Sequence, residues 1–324
     1  RPPGHRGFFE DGGSSYDAIR LLSLLRSGYG HDVSYGRFMA EPTVTGLSRR
    51  CREHVRSDSG IWVLTPRPAV APRLRVVLFP PVGGGVGCYA ELVRRLREGT
   101  GAHLIGFDGP APATPAATPG TTPAATPGTT PAPILAPISA ATFTLADLAE
   151  RCLAELSGQA LTADAPLVFA GWSFGGALAF ESARLCPVPV TRVVVIDTPP
   201  PAIAASHPNP GAAEEPTLAG FLGDIRQTSG IELDPERALT DPVLTARFAV
   251  YRQNLSLLNA WDPQPSEIPV HHLRAADTPA PNEAAHWSRI APVASSVVLA
   301  GGHFDVFADA NLPAVIHAIE GELP

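Results

Sequence analysis

The stretch LVFAGWSFGGALAF, Leu167–Phe180, constrains this chain more than any other. An apolar run from Leu167 to Trp172 passes into Ser173 without a spacer, and a second run, from Phe174 to about Leu185, follows at once. The first reads as a strand buried on both faces and the second as a helix. A strand that turns into a helix across one residue needs small neighbours so that the two segments can approach, and Gly171, Gly175, Gly176 and Ala177 surround the turn. Ser173, at its apex, is therefore expected in a strained conformation with its hydroxyl exposed. The helix that follows points its N-terminus at the serine, which favours developing negative charge there. GxSxG alone is a weak motif; its place between a buried strand and a helix gives it weight.

The chain from Leu74 onward fits that geometry. LRVVLF (74–79), AHLIGF (102–107), LVFAGW (167–172), RVVVID (192–197), VHHLRA (270–275) and SSVVLAG (295–301) read as strands. Helical faces recur between and after them: Tyr89, Leu92, Val93 and Leu96, then Leu145, Leu148, Ala149, Cys152 and Leu156, and finally Leu312, Val315, Ile316 and Ile319. Apolar strands alternating with amphipathic helices specify an α/β fold, a mostly parallel sheet covered on both faces. Two segments interrupt the order. Within residues 111–133 the octapeptide TPAATPGT occurs in tandem, at 114–121 and 122–129, and such a tract cannot bury enough apolar surface to fold. It is expected as a disordered surface insertion. Residues 199–265 separate two strands by far more than an ordinary connection. After a Pro-rich start they carry Phe221, Phe248, Tyr251, Leu255, Leu258 and Trp261 as apolar anchors and read as a helical lid over a pocket.

Upstream, residues 1–56 read as a small helical unit, with Ile19, Leu22 and Leu25, then Val44, Leu47 and Cys51, at helical spacing. Residues 57–73, with Pro66, Pro68 and Pro72, read as a linker. The net charge of −7 and the lack of a basic stripe argue against a nucleic-acid partner. No apolar run reaches the roughly 18–20 residues of a membrane span, and no secretory signal pattern is visible. Cys51, Cys88, Cys152 and Cys186 are widely spaced and form no CxxC. They are expected as buried free thiols in a reducing cytoplasm, and no metal site is expected. A chain that starts at Arg1 and whose single methionine is Met39 is expected to be a piece of something longer.

A serine hydroxyl attacks only when a base takes its proton, and this strand–turn–helix setting supplies partners in the chain order serine, acid, histidine. His303, in the GGHF turn after SSVVLAG, can swing over Ser173. The other histidines lie within strands, on helix surfaces or in loops away from that edge. Asp197 ends RVVVID and Asp277 follows VHHLRA; both belong on the same sheet edge, and position alone does not separate them as the acid. An oxyanion hole needs two backbone N–H groups. Phe174 is one donor, and the glycine-rich loop FPPVGGGVGCY offers Val82 first and Gly83 next. That loop lacks GxGxxG and GK[ST], so it does not read as a phosphate site.

Together FPPVGGGVGCYAELVRRL, GWSFGG, VVVIDTPPP and GGHF resemble, in order, the landmarks of the α/β-hydrolase thioesterase domain that ends nonribosomal peptide and polyketide synthases, over residues 74–324. The resemblance implies an α/β-hydrolase fold and a serine thioesterase working through an acyl-enzyme on Ser173. It favours Asp197 as the acid. Stand-alone editing thioesterases use the later position, which keeps Asp277 as the alternative. The segment GFFEDGGSSYDAIRLLSLLRSGYGHDVSYGRFMAEPTVTGLSRR is similar to the latter half of a peptidyl or acyl carrier domain, with the first carrier helix missing. That likeness implies 4'-phosphopantetheine on Ser15, where a helix N-terminus suits a phosphodiester. Without it, Ser14 or Ser15 reads only as a helix cap. The implied reaction is release of an acyl or peptidyl chain by hydrolysis or macrocyclisation, with upstream synthetase modules and a phosphopantetheinyl transferase as partners. An editing thioesterase, a small-ester esterase and a non-catalytic docking module are the competing readings.

Overall fold

The computed structural model describes residues 7–13, 17–18, 21–22, 25, 33, 38, 41–52, 61–64, 72–99, 102–107, 143–157, 161, 165–198, 216–229, 232–278 and 283–321. The tandem repeat, the start of the 199–265 insertion and Ser15 lie outside them.

One seven-stranded sheet organises the chain, in the order β1-β3-β2-β4-β5-β6-β7. Its strands are β1 (Ile61–Val63), β2 (Arg75–Phe79), β3 (His103–Phe107), β4 (Leu167–Trp172), β5 (Arg192–Ile196), β6 (Val270–Ala275) and β7 (Val293–Leu299). All neighbours pair parallel except β1, which runs antiparallel to β3 with Ile61 opposite Phe107. The expected linker 57–73 is therefore corrected: part of it is an edge strand of the sheet. Its tripeptide of β-branched and aromatic residues suits a short edge strand, and it contains no proline.

Strands β2 to β5 are buried almost throughout, because helices cover both faces. On one face Val77, Phe79, Phe169, Val193 and Val195 meet α3 (Leu145–Ser157) and α4 (Phe174–Leu185). On the other, Val76, Leu78, Val168, Val194 and Ile196 meet α2 (Ala90–Gly99) and α9 (Leu312–Glu320). Alternate residues of one strand thus feed two separate cores. Strand β7 alternates between half-buried and exposed positions up to Leu299, which is buried, as an edge strand does.

The 199–265 insertion contains α5 (Leu218–Ser229), α6 (Pro235–Thr240) and α7 (Pro242–Asn259). Phe221, Tyr251 and Leu255 form a cluster of their own, with Phe248 against it. Leu258 and Trp261 do not belong to that cluster: they join the main core, where Trp261 meets Phe180 and Trp287, the last residue of α8 (Glu283–Trp287). Helix α7 therefore gives Tyr251 and Leu255 to the insertion's own cluster and Leu258 to the main core.

At the N-terminal side, Ala18, Leu22, Val33 and Phe38 make a small cluster with Leu47 and Cys51 of α1 (Val44–Arg52) against it. The Thr43 hydroxyl caps α1 by accepting the Gly46 N–H at 3.0 Å. Val44 departs from the expected apolar face: it is 66% exposed, on the first turn. All four cysteines are free, and only Cys152 is buried, its thiol pushed up to about 12 by burial.

Candidate active site

The strand order sets the site. The chain leaves β2 to one side for β3 and returns on the other for β4, so the carboxyl ends of β2 and β4 are neighbours, with Phe79 opposite Gly171. Such a reversal opens a crevice at the strand ends. It brings the loop after β2 beside Ser173, and the ends of β5, β6 and β7 complete the same edge.

Ser173 adopts φ 57° and ψ −129°, a conformation that costs a non-glycine residue about 1–3 kcal/mol. Its fixed surroundings hold it there. The Ser173 N–H donates to Ile196 O at 2.9 Å, and its carbonyl accepts the Gly176 N–H at 3.0 Å. Trp172 and Phe174 on either side are buried and fix the turn between them. The small residues are explained by contact. A methyl on Gly171 would stand 2.0 Å from Gly175 O, and one on Gly175 would stand 2.5 Å from Phe79 O. Ser173 occupies the N-cap of α4 but its side chain makes no capping hydrogen bond. The hydroxyl is not spent on the helix, and the Phe174 N–H lies in a first turn whose donors have no intrahelical acceptor.

Asp197, directly after β5, is also at positive φ, 42°, and is 4% exposed. Its Oδ1 accepts the Ala275 N–H at 2.7 Å, and its Oδ2 accepts the Thr278 hydroxyl at 2.9 Å and His303 Nδ1–H at 2.6 Å. Burial acts to raise this carboxyl, but the His303 hydrogen bond, the Ala275 N–H and the Thr278 hydroxyl outweigh it and hold it below its ordinary value. A carboxylate only accepts, so the proton of the pair sits on Nδ1, and Nε2 is the ring nitrogen not engaged by the acid. The His303 ring lies against Trp172, the residue before Ser173, with centroids 4.9 Å apart. Asp277, the alternative acid, is exposed, and it reaches the histidine loop only through its backbone N–H, which donates to Gly301 O at 3.1 Å.

The His303 turn is pinned from behind. Gly301 takes φ 83°, and the Asp305 carboxylate accepts the Gly302 N–H at 2.8 Å. Buried Asn311 accepts the Ala300 N–H and donates to Ala300 O and Asp305 O, each at 2.9 Å. Arg274 braces the loop that carries Thr278 by donating to Ala275 O and Thr278 O. On the other side of the crevice, the Gly84 N–H donates to Pro81 O at 2.9 Å, and Gly84 and Gly85 have φ 73° and 82°. This places Val82 in a tight turn. The Tyr89 hydroxyl, fully buried, donates to Phe79 O at 2.6 Å and accepts the Trp172 N–H at 2.8 Å, tying the ends of β2 and β4 together. Asp224 of α5 faces the loop from above: a methyl on Gly83 would stand 3.2 Å from its Oδ2. Burial raises the Asp224 carboxyl against the opposing pull of His303 and Arg247.

Tyr89, Thr278, Asn311 and Arg274 were not singled out for the site from sequence. Their partners are mostly backbone atoms, several on distant segments, and no spacing rule records them. Two of the strand histidines serve the sheet: His271 and His272 bond Ser295 and Ser296 across β6 and β7. Among the described residues no group of three His, Cys, Asp or Glu side chains is placed to hold a metal, and no helix is long and apolar enough to cross a membrane.

A strained serine, an imidazole and a buried carboxylate on the carboxyl edge of a parallel sheet define a serine hydrolase of the α/β-hydrolase fold. Comparison with known proteins narrows the class. The thioesterase domain family matches residues 137–323, and the chain belongs to that family; it is a thioesterase. It is 35% identical over 89 residues to the dimodular nonribosomal peptide synthase of Bacillus subtilis (strain 168), a match that takes in 28% of this chain and 4% of that protein. Among solved structures, a holo four-domain nonribosomal peptide synthetase bound to AMP and glycine superposes with TM-score 0.62 at 22% identity, over 99% of this chain and 24% of that one. YbtT, a type II thioesterase of the yersiniabactin pathway, gives 0.56 at 17% identity, covering 82% of this chain and all (100%) of that one. The NocB thioesterase domain from the nocardicin cluster gives 0.53 at 17%, covering 78% and 96%. These likenesses show the shared fold.

Proposed function

We propose that this thioesterase releases an acyl or peptidyl chain from a carrier-borne thioester, through an ester on Ser173, by hydrolysis or by intramolecular cyclisation. The observation that carries the reading is the His303 Nδ1–Asp197 Oδ2 hydrogen bond beside a serine held at positive φ. In the first half-reaction His303 Nε2 takes the Ser173 proton as Oγ attacks the thioester carbonyl. Asp197 keeps the Nδ1 proton in place and stabilises the imidazolium. The N–H groups of Phe174 and Val82 hold the oxyanion. Collapse breaks the C–S bond, and His303 returns its proton to the departing thiol. In the second half-reaction His303 deprotonates water, or an amine or hydroxyl of the acyl chain itself, as it attacks the ester carbonyl; the C–O bond to Ser173 breaks and His303 returns the proton to Ser173 Oγ.

Residues 1–56 are proposed as a partial carrier domain, with Ser15 the attachment point for 4'-phosphopantetheine, whose thiol would carry the acyl chain. Nearby described residues suit that role: Gly12 turns at φ 90°, and residues 17–18 are helical. Linkage in one chain raises the local concentration of thioester at Ser173, commonly into the millimolar range. Upstream synthetase modules would supply the acyl group and a phosphopantetheinyl transferase the arm.

The test is to load the chain with an acyl-pantetheine by a phosphopantetheinyl transferase and map the acyl group by mass spectrometry, in wild type and in Ser173→Ala. The expected result is acyl on Ser173 in the wild type and acyl retained on Ser15 in the variant. Acyl retained on Ser15 in both, with Ser173 also inert to a fluorophosphonate, overturns the reading. Absence of loading removes Ser15 from it, and turnover of free thioesters by such a protein would favour an editing thioesterase.

A further inference from the structure

The helical insertion touches the loop after β2. Asn254, on α7 and 6% exposed, donates its Nδ2–H to Val82 O at 3.0 Å. The Val82 side chain packs against the cluster of Phe221, Tyr251 and Leu255 from the same insertion. From these contacts we propose that Asn254 is a positioning residue for the oxyanion-binding loop, so that the insertion takes part in building the site. The inference rests on the function proposed above.

Each peptide unit is flat and trans, so fixing a carbonyl fixes the N–H on its other side. Two peptide planes meet at Val82. The Pro81–Val82 plane is held within the loop, because Pro81 O accepts the Gly84 N–H at 2.9 Å. The Val82–Gly83 plane is held from outside, by Asn254. The residues that follow, Gly83 to Gly85, have no side chains to hold the turn, and two of them are at positive φ. Val82 O shares its plane with the Gly83 N–H, so Asn254 fixes that N–H directly and holds the second side of the turn that presents the Val82 N–H; without Asn254 this side of the oxyanion-binding loop can swing. A donor that must reorganise during the reaction stabilises charge less than one already aimed.

The loss should therefore appear in the transition state and not in substrate binding. Wild type, Asn254→Leu and Asn254→Asp are compared as full chains with three probes. They are hydrolysis of octanoyl-N-acetylcysteamine, inhibition by heptylboronic acid, and binding of the thioether S-octyl-N-acetylcysteamine. The boronate becomes tetrahedral on the serine and places an oxygen where the oxyanion forms; the thioether reports only ground-state binding. Asn254→Leu is expected to lower kcat and boronate affinity together by about tenfold, less than the 10²–10³ lost when an oxyanion donor itself is removed, with thioether affinity unchanged. Asn254→Asp keeps the shape but turns an acceptor toward Val82 O, and should lose at least as much; it stands in if the leucine variant does not fold. Equal losses for boronate and thioether, or no loss of kcat, would overturn the inference. A wild type that neither turns over the thioester nor takes up the boronate would instead sink the functional reading beneath it.

Discussion

Tyr89→Phe removes one oxygen atom from the protein interior, and its cost follows from what that oxygen touches. The Tyr89 ring is fully buried, and its hydroxyl joins Phe79 O at 2.6 Å and the Trp172 N–H at 2.8 Å. The variant keeps the ring and its packing but strips a partner from two backbone groups at the ends of β2 and β4. A buried polar group left without a partner costs about 1–3 kcal/mol, so the pair gives about 2–6 kcal/mol before relaxation; we expect about 3 kcal/mol. Urea unfolding followed by tryptophan fluorescence should show a lower midpoint with an unchanged slope. The pH dependence supplies a second arm. Burial, then the neighbouring Cys88, holds the Tyr89 phenol well above its ordinary range, against the lowering effect of the Trp172 N–H. A folded-state pKa raised in this way gives stability that is full below the unfolded value near 10 and is lost as pH rises beyond it. The gap between wild type and variant should therefore narrow above about pH 10. A destabilisation below about 0.5 kcal/mol, the range of a neutral surface change, would refute the tie between the two strand ends.

Asp197→Asn should leave the Ala275 N–H satisfied by the amide oxygen while turning an NH₂ toward His303 Nδ1. The imidazole proton then moves to Nε2, the base is lost, and single-turnover acylation should slow about 10⁴-fold. The same carboxyl has a lowered folded-state pKa, so it contributes stability above its unfolded value and loses it as pH falls toward the folded one; the asparagine variant should lack that acid-side loss. Gly176→Ala would set a methyl 1.9 Å from Thr198 Oγ1 and should destabilise the fold by about 1–3 kcal/mol. Adding Thr198→Ala should recover part of this, read as a coupling above about 0.5 kcal/mol in a double-mutant cycle.

Much of the architecture was legible because its signals are local. Strand β4 and helix α4 follow from apolar runs, and each of the six expected strands appears within two residues of where its run ends. Strand β1 was missed because a tripeptide carries too little pattern to stand out ahead of a run of prolines. Leu258 and Trp261 were grouped with the lid because helical spacing marks an apolar face without saying which core receives it. Choosing between Asp197 and Asp277 needed the family resemblance, since both follow strands on one edge; in the structure His303 bonds Asp197, while Asp277 is exposed.

By itself the sequence determined the element types, the parallel sheet and the strand–serine–helix turn, because periodicity and small residues act over a few positions. It also marked His303 and the glycine-rich loop as the segments able to meet at Ser173. Tertiary structure alone decided what holds them. The Tyr89 hydroxyl bridges segments 10 and 83 residues away, Thr278 reaches Asp197 across 81, and Asn254 reaches Val82 across 172. A hydrogen bond is set by distance and angle in space, and most of these end on backbone atoms, which every residue carries. Nothing in the order of side chains records such partners before the chain has folded.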